Sequence, residues 1–170
     1  IPSGIVIKID NGNLQVKGSK GEDSRDFSYP GINISIDGDK INLVCEAASK
    51  RESRMINTFM AHIKNMIRGV ESPFEYKLKI CSGHFPMNVA VSGKEVVVKN
   101  FLGEKHPRRI VIVEGVSVKI AGTEVSVNSV SREKAGMVTA RIEQMCRITN
   151  KDRRIFQDGI YITRKPQRIL

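Results

Sequence analysis

VKGSKGE at residues 16–22 and VKNFLGE at residues 98–104 agree at their first two and last two positions, at a shift of 82 residues. The shift recurs elsewhere in the chain. Met55 is matched by Met137 at 82, and the turn glycine Gly38 by Gly122 at 84. Offsets that stay nearly constant through a strand, a turn and a helix mark a duplicated supersecondary unit. Duplication of a small unit also accounts for a length of 170 residues, which by itself suits one ordinary domain or two small ones.

Around the repeat, short period-2 runs are joined by turn signals. Residues 5–9 and 14–17 flank Asp10-Asn11-Gly12-Asn13 and read as a hairpin. Residues 32–36 and 40–45 flank Asp37-Gly38; 87–91 and 95–99 flank Ser92-Gly93; 116–120 and 124–127 flank Ala121-Gly122. Strands that turn straight back make antiparallel meanders, not βαβ units. Two segments switch to a helical period. In the first, Met55, Ile56, Phe59, Met60, Ile63, Met66 and Ile67 share a face after a capping-box signal at Ser49 and Glu52. In the second, Val138, Ile142 and Met145 recur after Asn128 and Ser129, residue types that start helices. The expected fold is α+β: two tandem homologous domains, each a mainly antiparallel sheet packed with one helix. Gly69 to Pro73 punctuate the pattern after the first helix, so the repeats are expected at residues 1–73 and 74–170.

The 28 Lys+Arg against 18 Asp+Glu give a net charge of +10, which suits a polyanionic partner. The excess is uneven. Residues 1–80 hold 12 basic and 10 acidic residues, whereas residues 81–170 hold 16 and 8. The near-neutral first half suits a spacer or a platform for protein neighbours. No apolar run approaches the roughly 20 residues that span a bilayer and no charged-then-apolar leader opens the chain, so a soluble intracellular protein with no membrane partner is expected. Cys45, Cys81 and Cys146 are odd in number, far apart and never in a CxxC pair. That argues against a disulfide framework and a zinc ribbon, and for reduced core or half-buried thiols.

The basic half concentrates its charge in loops. Lys99, Lys105, His106, Arg108 and Arg109 stand against one acid, Glu104; Lys151, Arg153 and Arg154 follow the second helix; Arg164, Lys165 and Arg168 lie near the end. Loop cations reach phosphates without burial, and arginine can also fork onto a phosphate or stack on a base. A run of surface charge is most often only a solvated face. Here several clusters coincide with the basic half, which favours phosphate contact. Aromatics are 5% of the chain, tryptophan is absent, and no RNP-like aromatic strand exists, so groove and backbone recognition of folded RNA fits better than stacking of splayed bases. Phe101 and Tyr161 are expected as core or domain-edge rings.

Catalytic readings find little. His62, His84 and His106 are scattered and make no metal-ligand spacing with the cysteines. Cys81 and His84, three apart, lack an orienting third group nearby in sequence. Asp152 and Asp158 look like a turn and an ion-pair partner. No P-loop or dinucleotide fingerprint is present.

NFLGEK at 100–105, HFPMNV at 84–89, KDRRIFQDGIYI at 151–162, HIKNMIRGV at 62–70 and VKGSKGEDSRDF at 16–27 together closely resemble the family of large-subunit ribosomal protein six, called protein nine in eukaryotes. The resemblance covers nearly the whole chain. It is to the archaeal and eukaryotic branch, since bacterial members end in a glycine- and lysine-rich tail. Residues 32–50 depart from eukaryotic members, which are more basic there and bear tryptophans, and that favours an archaeal source. The resemblance implies a structural protein of the cytoplasmic large subunit, without catalysis, cofactor or small-molecule substrate. It implies large-subunit ribosomal RNA and neighbouring large-subunit proteins as partners. The RNA would be bound chiefly through the second domain, near the sarcin-ricin loop where translation factors dock. Carried over by position, Asn100, Gly103, Lys105, Arg108 and Arg109 would form one RNA-facing loop. Lys151, Arg153, Arg154 and the DGIYI turn with Tyr161, Arg164 and Lys165 would form the other. Phe101, Leu102, Ile155, Phe156 and Ile160 would pack to hold both rigid. His106 stands where some eukaryotic members carry tyrosine. The alternative is a free-standing RNA chaperone or regulator.

Overall fold

The computed structural model describes residues 1–46 and 49–166, which divide into two compact units: Ile1–Pro73 with Val130–Arg132, and Phe74–Ser129 with the described chain from Glu133 on. In the first, β1 (Val6–Asp10), β2 (Asn13–Gly18) and β3 (Gly21–Asp26) form an antiparallel meander, β4 (Asn33–Asp37) and β5 (Lys40–Val44) form a hairpin, and α1 spans Lys50–Glu71. Asn11 and Gly12 both take positive φ between β1 and β2, the conformation a two-residue turn needs to match strand twist. Period-2 alternation buries Leu14 and Val16 of β2 against Phe59, Ile63, Met66 and Val70 of α1. Phe27 and Phe59 meet edge to face at 5.1 Å.

Ser49 caps α1 as its sequence announced: its hydroxyl oxygen accepts from the Arg51 N–H, and its own N–H donates to Glu52 at 3.0 Å. The α1 stripe needs one correction. Met60 is 41% exposed; a helix laid on a small sheet buries only the central line of its apolar face, and Met60 falls off it.

The turn at residues 18–20 shows why VKGSKGE carries its first glycine. The Lys20 N–H donates to the Val70 carbonyl at 3.1 Å, and a Cβ on Gly18 would lie 2.8 Å from Val70 Cβ and 3.0 Å from its carbonyl oxygen. Gly18→Ala is expected to cost about 1–3 kcal/mol by overpacking, read as a lower denaturant midpoint at unchanged m. An unchanged midpoint would mean this close approach contributes nothing.

The second unit holds β6 (Phe74–Cys81), β7 (Asn88–Ser92), β8 (Glu95–Lys99), β9 (Arg108–Val111), β10 (Val116–Ala121), β11 (Glu124–Ser129), α2 (Arg132–Met145) and β12 (Gly159–Arg164). Strands β7-β8-β9 form one antiparallel sheet, and β10-β11-β6-β12 form another. Leu78, Val96, Val98, Phe101, Val125, Val127, Val138, Ile142 and Ile160 make its core. Asn128 and Ser129 do not start α2. They remain in β11, paired with Glu75 and Phe74, and the Ser129 hydroxyl donates to the Gly115 carbonyl at 2.7 Å. A local capping signal loses to ladder pairing with a distant strand. The architecture is the expected α+β pair of mainly antiparallel units with one helix each.

Candidate nucleic-acid interface

Between β8 and β9 the chain makes a tight 3-10 turn in which Asn100, Leu102 and Gly103 all take positive φ. This throws Phe101 inward, where it is 1% exposed, while Lys99, Asn100, Gly103, Lys105, His106 and Arg109 stay exposed. Arg108 differs from its neighbours. Its Nε donates to Glu104 at 2.8 Å, Nη2 to the other Glu104 oxygen, Nη1 to the Met145 carbonyl, and the guanidinium lies 4.3 Å above the Phe101 ring. The hydrogen bond from Arg108 holds the Glu104 carboxyl below its usual range against the opposing pull of burial. Arg108 therefore commits three of its five N–H groups inside the protein and ties the loop to the end of α2.

The second basic loop follows α2. Asp152 accepts from the Arg154 N–H at 2.9 Å, and its carbonyl accepts from Ile155 and Phe156. The Arg154 guanidinium also rests on Asp152 at 2.9 Å, with its side chain 91% exposed. That hydrogen bond holds the Asp152 carboxyl low. Lys151 Nζ lies 4.9 Å over the Phe156 ring, which stacks on His84 at 4.7 Å. Phe156, Leu102 and Ile160 pack as expected. Ile155 does not: it is 63% exposed, because the turn closed by Asp152 points it away from the core. Tyr161 lays its ring over Gly159, where a Cβ would come within 3.1 Å of it, and shares its hydroxyl proton between the carbonyls of Gln157 and Asp158.

The chain at residues 83–86 meets both loops. The Asn100 amide donates to the Pro86 carbonyl at 3.1 Å, and a Cβ on Gly103 would lie 3.6 Å from the Phe85 ring. On the other side, Asp158 accepts from the Gly83 N–H at 2.7 Å, the His84 N–H at 3.0 Å and His84 Nδ1 at 2.6 Å. Asp158 is 1% exposed. Burial pushes its pKa up, but the His84 N–H, the imidazole and the Gly83 N–H together outweigh it and hold the carboxyl below its usual range. Pairing of Cys81 with Gly159 in the β6–β12 ladder is what sets Asp158 beside this turn.

The two loops thus share one rigid strap. Arg164 and Lys165 lie elsewhere, at the far end of β12, and Arg168 falls outside the described residues. Among the described residues, Lys99, Lys105, Arg109, Lys151, Arg153, Arg164 and Lys165 form no ion pair. The His84–Asp158 pin went unread in the sequence, since 74 residues separate its partners and no local spacing announces it.

Asp158 also supplies the orienting group that a Cys81–His84 nucleophile would need. Yet Cys81 makes no hydrogen bond to His84 among the described residues, and the imidazole is stacked on Phe156. Burial pushes the Cys146 thiol up to about 11, so it stays protonated at neutral pH. Among the described residues no cluster of His, Cys, Asp and Glu can hold a metal ion, and no helix is long and apolar enough to cross a membrane.

Comparison with known proteins finds sequence similarity along nearly the whole chain. The family model for ribosomal protein L6 matches residues 1–72 and 85–159. The chain is 43% identical to large ribosomal subunit protein uL6 of Methanobrevibacter smithii over 165 residues, 97% of this chain and 93% of the relative. It is 40% identical to the protein of the same name from Methanococcus vannielii over 170 residues, 100% of this chain and 93% of the relative. The chain belongs to the ribosomal protein L6 family, in its archaeal and eukaryotic branch.

Proposed function

We propose that this protein is a non-enzymatic structural constituent of the cytoplasmic large ribosomal subunit, and that it binds large-subunit ribosomal RNA mainly through its second unit, near the sarcin-ricin region. The observation that carries this reading is the pair of basic loops braced on residues 83–86, in which Lys99, Lys105, Arg109, Lys151 and Arg153 have no ion-pair partner among the described residues. Rigid loops lose little conformational entropy on docking. Each cation that meets a phosphate releases condensed counterions, so affinity comes with a steep salt dependence. Lys99, Lys105, His106, Arg109, Lys151, Arg153 and Arg154 supply the contacts, with Asn100, Gly103 and Tyr161 at the same surface. Arg108 acts as the brace that shapes its loop. The near-neutral first unit serves as a platform for neighbouring ribosomal proteins.

Arg154 exchanges partners at little cost, because an exposed ion pair is weak and a phosphate can replace the Asp152 carboxylate. In binding to a large-subunit RNA fragment that carries the sarcin-ricin region, Arg154→Ala is expected to weaken affinity and reduce the log–log salt slope by about 1. Unchanged affinity and slope would remove Arg154 from the interface. Equal binding of the unaltered chain to a scrambled RNA of the same length would overturn the ribosomal site in favour of a general RNA chaperone.

A further inference from the structure

The four-stranded sheet has one face closed by α2 and the core, and one face open. Register runs a row straight across the open face: Lys119 of β10 opposite Ser126 of β11, Ser126 opposite Lys77 of β6, Lys77 opposite Arg164 of β12. In the next row Lys79 stands between Glu124 and Tyr161. Register partners share a face, so three cations and a hydroxyl stand abreast.

Arg164 reaches this row through a bulge. Strict alternation from Tyr161 would turn Ile162 inward, Thr163 outward and Arg164 inward. The ladder instead skips Thr163 between Ile162 and Arg164, and the Thr163 hydroxyl fixes the irregularity by donating to the Lys77 carbonyl at 3.1 Å. An inserted residue re-aims the side chains beyond it. Here it places one cation directly opposite another, an arrangement that destabilises an isolated sheet. Among the described residues Lys77, Lys79, Lys119 and Arg164 form no ion pair; Glu124 opposite Lys79 and Glu75 opposite Asn128 share the face, and the four cations outnumber them.

We infer that this open sheet face is a second RNA-binding surface, separate from the two loops, on which Lys77, Lys79, Lys119 and Arg164 meet phosphates of a folded RNA segment. The inference rests on the reading of the chain as an RNA-binding ribosomal protein. Charge complementarity selects the partner class. The row of Lys119, Ser126, Lys77 and Arg164 offers no apolar anchor of the kind that centres a protein interface. It offers cations and the Ser126 hydroxyl, groups that serve phosphate and 2′-hydroxyl contacts. Strand spacing sets Lys119 and Lys77 roughly 10 Å apart, so long side chains can reach separate phosphates.

The test uses the full chain and full-length large-subunit RNA, with scrambled RNA as control, over a salt series. Lys77→Gln with Lys119→Gln is expected to weaken binding several-fold and lower the salt slope by about 2. Its melting temperature should not fall, because a like-charge pair is relieved. Should the double variant melt lower, Lys79→Gln carries the same test with an expected slope change of about 1. Unchanged binding and slope, while Lys105→Ala with Arg109→Ala weakens both, overturns the sheet face and leaves the loops in place. Unaltered chain that does not distinguish the two RNAs overturns both. Unchanged RNA binding with lost binding to polyglutamate assigns the face to an acidic protein and overturns the inference.

Discussion

Phe101→Ala is expected to destabilise the second unit by about 3–5 kcal/mol, the range for truncating a fully buried aromatic ring. The ring belongs to the same core as Val96 and Val98 of β8 and carries the Arg108 guanidinium on its face. Its removal leaves a cavity beneath a loop in which three residues already hold positive φ. That loop cannot collapse onto the void without giving up those conformations, so little of the cost is recovered by relaxation. Phe101→Leu should recover most of it. Chemical denaturation at neutral pH is the measurement; a loss within about 0.5 kcal/mol, the scale of an ordinary surface substitution, would mean the ring does not anchor the loop. RNA affinity measured well below the midpoint should fall too, because Lys105 and Arg109 lose their fixed positions.

Asp158→Ala is the second large effect, at about 3 kcal/mol. Three donors converge on this carboxylate, and a buried donor left without an acceptor costs about 1–3 kcal/mol. The His84 ring is partly exposed and rehydrates, so the two backbone N–H groups carry most of the loss. The acid limb comes from the depressed folded-state pKa. The Asp158 contribution is fully present above about pH 5, where an unfolded aspartate is ionised. It fades as pH drops through the lower folded-state value. The stability gap between the protein and Asp158→Asn should therefore be flat from about pH 5 upward and narrow below about pH 4. A gap that widens on acidification would mean the carboxylate is not what the turn at residues 83–84 binds.

Much of the fold was legible because much of it is local. Four hairpins announced themselves through a turn glycine between two alternating runs, and α1 through a capping box next to an apolar stripe. The elements that escaped depend on distant partners. Strand β6 alternates plainly, with Tyr76, Leu78 and Ile80 inside and Lys77 and Lys79 outside, yet no turn signal links it to a neighbour. Its partners β11 and β12 lie far along the chain. Ser129 misled for the same reason, since only its pairing with Phe74 decides it is strand. At the candidate site, residue type was readable and geometry was not. Cations in loops stood out, whereas the internal commitment of Arg108, the exposure of Ile155 and the placement of Arg164 by a one-residue bulge are set by tertiary contacts.

The central position of β6 also bears on the order of assembly. The hairpins of the first unit close over a few residues, but Leu78 must find Val125 and Ile80 must find Ile160, 80 residues away. Such closures carry a larger entropic toll, and they slow the search as sequence separation grows. Until β12 arrives, β6 is an unsatisfied edge beside Leu78 and Ile80, a template for pairing with another nascent chain. The strand that removes this hazard is the same one that pins Asp158 against His84. The pairing that covers the β6 edge is therefore also the one that fixes the Asp158 end of the loop carrying Arg153 and Arg154, so exposure of that edge and loss of the pin go together.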